Sequence, residues 1–249
     1  MKRSSGRPPG SDRVPVPDRS AALEQYRRRA GIYDLELAAF EPLRRVAIER
    51  LALRPGDCVL DVGCGTGLSL LLLAKAVGMR GLIVGIEQSA EMLARARRRV
   101  EAEPCCPVTL LCAPVEEADI PVTADAALFH FTHDVLRRPE AIANVLRHLK
   151  PGARVVASGL KWAPPLALGL PSPVNLFVLP AAAHSVTTFE GLSAPWSHLQ
   201  AQLGPLEVQP AIWGGAYLAC GSVAEASSSA AQGLPQSSRR RLSRPQVKR

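Results

Sequence analysis

From Asp57 to Ser158, short runs of aliphatic and β-branched residues alternate with segments whose apolar positions recur every third or fourth residue. The runs read as buried strands and the intervening segments as helices packed on them, the pattern of a parallel sheet covered on both faces. Cys58-Val59-Leu60-Asp61-Val62 is the first strand, introduced by the turn residues Pro55-Gly56 and followed at once by a Gly-rich loop. Leu68 to Val77 is apolar nearly all round, as a buried helix is, and Gly78 stops it. Leu82 to Ile86 is the second strand. Ser89 then caps a helix with Ala90, Leu93, Ala96 and Val100 on its inner side and Arg95, Arg98 and Arg99 on a solvated face. Val108 to Cys112 and Asp125 to Phe131 are strands three and four. Pro139 opens a helix carrying Ile142, Val145, Leu146 and Leu149 at i, i+3, i+4 and i+7, and Lys150-Pro151-Gly152 ends it. Ala153 to Ser158 is the fifth strand.

Beyond Ser158 the alternation breaks until a weak helix from Trp196 to Leu203 and two extended segments, Leu206 to Gln209 and Ala211 to Cys220. Ala21 to Leu53, ahead of the first strand, reads as helical. The apolar stretch from Pro164 to Ala183 contains Pro164, Pro165, Pro171, Pro173 and Pro180, which would break a membrane-crossing helix repeatedly. The expected organisation is one domain over residues 21–221, with an N-terminal helical element at 21–53 and an apolar cap at 159–204, between tails at 1–20 and 222–249.

Charge divides unevenly along this plan. The 249 residues carry a net +8, of which residues 1–20 contribute +3 and residues 222–249 contribute +5, so the domain between them is formally neutral. Both tails are rich in Pro, Ser, Gly and Arg, a composition that buries too little surface to order by itself. A hydrophobic share of 47% against 21% charged residues excludes disorder of the whole chain and a heptad rod. The six cysteines (Cys58, Cys64, Cys105, Cys106, Cys112, Cys220) sit in or beside apolar runs without CxxC or Cys/His ligand spacing, so reduced structural thiols are expected and no metal site is. The first residues, Met1-Lys2-Arg3-Ser4-Ser5, lack the apolar core of a secretory leader, and the expected address is cytoplasmic.

The candidate chemistry lies in Asp61-Val62-Gly63-Cys64-Gly65-Thr66-Gly67, between a strand and a helix, where doubly wound sheets bind ligands. Glycines there let the backbone approach a ligand closely, and free N–H groups at the helix start suit an anionic group. A dinucleotide loop of the form Gly-x-Gly-x-x-Gly would need glycine at 68, where Leu68 stands. The tighter spacing, with its acidic opening residue, resembles motif I of class I S-adenosylmethionine (SAM)-dependent methyltransferases. The resemblance extends from about Tyr26 to Ser158 and implies a doubly wound, Rossmann-like α/β sheet, mostly parallel with an antiparallel C-terminal strand and helices on both faces. It also implies SAM as cofactor and Asp61, Gly63, Cys64, Gly65 and Gly67 around its amino-acid end. Glu87, at the end of strand two, would take both ribose hydroxyls, with Gln88 beside it.

Tyr26 to Asp34 is similar to the Tyr-Asp element of methyltransferases acting on quinone rings and phospholipid headgroups. Tyr33 would then cover the cofactor, or simply pack on the domain surface. Where the family often has Gly-Asp-Ala after strand three, this chain has Ala113-Pro114-Val115, which leaves adenine recognition to the Val115 backbone or to Glu116. Phe129-His130-Phe131-Thr132-His133-Asp134 ends strand four, where the acceptor would sit. Phe129 is assigned to the cofactor, and His130, His133 and Asp134 are the candidate catalytic groups, each His having an equally simple structural role. The Asn/Asp-Pro-Pro-Tyr/Phe loop of amide and adenine N-methylation is absent. A small-molecule or lipid-like acceptor is therefore expected, nucleic acid is disfavoured, and the basic tails leave room for peripheral membrane contact. Two alternatives stay open: a SAM-binding protein without turnover, and an RNA methyltransferase tethered by Arg239-Arg240-Arg241.

Overall fold

A computed structural model describes residues 38–166, 170–176, 178, 179 and 191–225. Its elements are helix α1 (Glu41–Arg50), β1 (Cys58–Val62), α2 (Leu70–Val77), β2 (Leu82–Glu87), α3 (Ala90–Glu101), β3 (Val108–Cys112), β4 (Ala124–His130), α4 (His133–Leu136), α5 (Pro139–Arg147), β5 (Leu149–Leu160), α6 (Ser197–Leu203), β6 (Glu207–Ala211) and β7 (Ala216–Ser222). The strands form one sheet in the order β3-β2-β1-β4-β5-β7-β6. Neighbours from β3 to β5 run parallel, whereas β7 is antiparallel to both β5 and β6. This is the doubly wound sheet the sequence leads one to expect, with β7 reversed.

Side chains alternate across the sheet and divide the core in two. Leu60, Val62, Phe129 and Tyr217 pack with Ile142 and Val145 of α5 and Leu199 of α6. On the other face Val59, Leu128 and Leu218 pack with Ala47 of α1, Leu73 of α2 and Leu93 of α3. Ser89 caps α3 as its sequence suggests, its hydroxyl accepting from Met92 N–H at 3.2 Å.

The boundaries differ from expectation where tertiary contacts decide them. Helix α2 begins at Leu70, after Gly67 has closed the preceding turn on Cys64. Strand β4 stops at His130, because Phe131 takes a left-handed φ of 58°. Strand β5 starts at Leu149, earlier than Ala153. Leu149 pairs with Ala124, and a register shift between Ala124 and Ala126 absorbs the Lys150-Pro151-Gly152 turn. At the end of the chain the sheet runs past the expected tail boundary at 222, since Val223 exchanges backbone hydrogen bonds with Gly152 and Ala153. Within the expected 21–53 element, the described helix is Glu41–Arg50. The Tyr26–Asp34 segment with Tyr33, and the tails at 1–20 and 226–249, lie outside the described residues.

Candidate active site

The carboxyl ends of β1, β2 and β4 meet at the Gly-rich turn. Cys64 N–H donates to the Ile86 carbonyl at 3.0 Å and Gly67 N–H to the Cys64 carbonyl at 2.9 Å, which curls the turn against β2. Gly63 has a φ of +68°, and a Cβ there would meet Thr132 Cγ2 at 2.6 Å, so the sequence has no alternative to glycine at this point. The Cys64 side chain is buried over Gly85, where an added Cβ would lie 3.0 Å from Sγ. Burial raises the Cys64 thiol well above its ordinary pKa, so it is packing and not a nucleophile.

Glu87 closes the turn from the β2 side. Its carboxylate accepts the Gly65 N–H at 3.2 Å and the Ser89 N–H at 2.8 Å. Burial raises its pKa, while the backbone N–H groups of Ser89, Gly65 and Gln88 work in the opposite sense. The carboxylate therefore ties the end of β2 to Gly65 of the turn and to the start of α3.

Among the described residues, four buried polar atoms near the turn lack a hydrogen-bond partner: Asp61 Oδ2, His130 Nε2, Thr132 Oγ1 and Arg44 Nε. Asp61 is 2% exposed, and burial raises its pKa to about 7 against the opposing pull of the Arg44 charge. Arg44, equally buried, pairs with Glu41 of its own helix. His130 Nδ1 lies 2.7 Å from Ser158 Oγ. Burial first, and the Arg44 charge second, lower the His130 pKa to about 3, so the imidazole is neutral. Asp61, Arg44, His130, Gly63, Gly65 and Phe131 line a cavity of about 30 Å³, enough for a small polar group. The strained Phe131, one of the residues lining this cavity, rests its ring 4.8 Å from that of Phe40.

Among the expected site residues, Asp61, Gly63, Cys64, Gly65, Gly67, Glu87, Gln88 and His130 come together at one edge of the sheet. Phe129, one residue from His130, faces the opposite core layer and is fully buried there, so only its backbone reaches the edge. Val115 begins a 3₁₀ turn, with its carbonyl taken by Asn144 Nδ2 at 2.7 Å. Glu116 turns to Arg138 at 3.1 Å. His133 and Asp134 open the short helix α4, with His133 buried. Arg44, Phe131 and Thr132 were not singled out from the sequence. An arginine on an amphipathic helix reads as solvated, and nothing in the letters marks α1 as the roof of the cavity.

The methyltransferase domain family matches residues 59–152, which span β1 to the start of β5 and hold the turn, Glu87 and His130. The matched residues carry a methyltransferase domain. It is 31% identical over 150 residues to a 2-phytyl-1,4-naphtoquinone methyltransferase of Synechococcus elongatus, covering 56% of this chain and 62% of that one. It is 36% identical over 140 residues to a phosphatidylethanolamine N-methyltransferase of Cereibacter sphaeroides, covering 54% and 66%. The matches thus span less than two thirds of these relatives. In fold, the methyltransferase domain resembles the N-methyltransferase NodS of Bradyrhizobium japonicum solved with S-adenosylhomocysteine (SAH), with a TM-score of 0.56 at 16% identity over 82% of this chain and 98% of that one.

Proposed function

We propose that this chain transfers the methyl group of SAM to a small-molecule or lipid-like acceptor in the cytoplasm. The observation that carries the reading is the buried Asp61 oxygen, without a partner among the described residues, which lines a small cavity together with the Gly-rich turn. A buried carboxylate oxygen without a donor is costly, and a ligand ammonium at that position supplies the missing partner. The residues therefore fit the amino-acid end of SAM, and the Glu87 carboxylate, already turned to the loop, fits its ribose hydroxyls. Bound SAM supplies a sulfonium whose methyl carbon is open to attack.

The protein's own contribution is position and exclusion of water. Asp61 and the N–H groups of the turn hold the ligand's charged end. Arg44 and the Phe40–Phe131 ring pair roof that end. His130, fixed by Ser158 and held neutral, presents Nε2 as a hydrogen-bonding atom and orients rather than takes up a proton. His133 and Asp134, at the start of α4, are the groups we assign to any proton the acceptor loses. The names of the two relatives support a lipid-like acceptor.

The test is incubation of the full chain with methyl-labelled SAM and separate lipid, aqueous-metabolite and RNA fractions. Label is expected in the lipid or metabolite fraction. Label confined to RNA, or none at all from a chain that binds SAH, contradicts the proposal.

A further inference from the structure

Among the described residues eight large hydrophobic side chains are exposed, and six of them, Leu166, Leu170, Leu176, Leu179, Ile212 and Trp213, belong to the cap after β5 and to the β6–β7 turn. Those two segments are one surface. Leu166 N–H donates to the Leu170 carbonyl at 2.8 Å, and the Asn175 amide clasps the Ala163 backbone at 2.8 and 3.2 Å. Gly214 packs on Pro164, and Gly215 lies so close to Val174 and Val178 that no side chain would fit. The surface sits where Leu160 pairs with Ala216, at the same edge of the sheet as His130 and the Gly-rich turn. A groove of about 600 Å³, lined by Lys161, Pro164, Trp196, Ile212 and Trp213 among others, opens into it.

Three properties say what covers this face. Ile212 and Trp213 both hold left-handed φ values, 46° and 49°, a strained conformation for residues other than glycine. That strain leaves Trp213 88% exposed, so no burial among the described residues repays it. Residues 159–189 and 208–224 contain no Asp or Glu, so Lys161 is the single formal charge in these two stretches. No carboxylate of these stretches would be desolvated or repelled there by a negative surface.

We propose that this face docks on an anionic phospholipid surface, with Trp213 at headgroup level, the four leucines entering the acyl boundary and Lys161 meeting lipid phosphate. The inference stands on the surface alone. Joined to the methyl-transfer reading, it brings a membrane-borne acceptor to the edge where the chemistry is assigned.

The test is co-sedimentation of the full chain with vesicles of phosphatidylcholine and phosphatidylglycerol, and with phosphatidylcholine alone, while SAH binding is titrated on the same preparations. The paired change Trp213→Asn, which tolerates the left-handed backbone, and Leu176→Ser alters exposed positions only. The wild-type chain is expected to pellet with the anionic vesicles, and the double variant to partition at least about tenfold more weakly with unchanged SAH affinity. Bromine-labelled lipid should quench tryptophan fluorescence in the wild type and lose that effect in the variant. Failure of the wild type to pellet, or equal pelleting of the variant, overturns the inference. So does binding that survives the double change and vanishes on removal of residues 226–249, since the tail would then be the contact. A chain that pellets normally but takes no SAH loses the methyl-transfer reading and keeps this one.

Discussion

Asp61 is a buried acid without a partner among the described residues. In the folded chain its pKa rises to about 7 from an ordinary 3.8, so between those values the folded state binds the proton that the unfolded state has released. Its contribution to stability is therefore complete below the unfolded value and is lost as pH rises through about 7. Chemical denaturation without ligand should show the wild type losing on the order of 2 kcal/mol, relative to Asp61→Asn, between pH 5 and pH 8. A constant difference across that range would contradict the assignment. The acidic residue and the glycines were legible in the sequence because their chemistry depends on spacing along the chain. Arg44, which shares the cavity, was not, because its importance arises from where α1 is laid across the sheet.

Asn144 shows the same division at the scale of an element. The helix α5 was legible from Ile142, Val145 and Leu146, but the periodicity also counted Leu149, which the structure gives to β5 because Ala124 is there to pair with it. On the buried side of α5, Asn144 Nδ2 donates to the Val115 and Ala118 carbonyls at 2.7 and 2.9 Å, tying the helix to the 3₁₀ turn that follows β3. That turn carries Val115 and Glu116, the residues assigned to adenine. Asn144→Leu leaves two buried carbonyls without this donor and should cost about 2–3 kcal/mol in urea denaturation. A change of under about 0.5 kcal/mol would show that the tie is not structural. The hairpin turn at Ile212–Gly214 had no signal of this kind, since neither Ile nor Trp favours the left-handed backbone both adopt.

For the whole molecule, the alternation of strands and helices was enough to specify the sheet and its parallel core, because each strand's burial pattern depends on both faces being covered, whereas the reversed β7 was expected only from the family resemblance. The cap was legible only as an apolar, Pro-rich interruption, since it has no period from which its packing on the β6–β7 turn follows. Gly65 of the turn and Glu87 at the end of β2 nonetheless form a hydrogen-bonded unit. The most direct test of that unit is isothermal titration of SAH into the wild-type chain and into Glu87→Ala. The expected result is binding at one site per chain, weakened at least about tenfold by the loss of a charged hydrogen-bond acceptor, with Glu87→Gln lying between. No heat from a folded wild-type chain, or the same affinity in Glu87→Ala, would contradict the account.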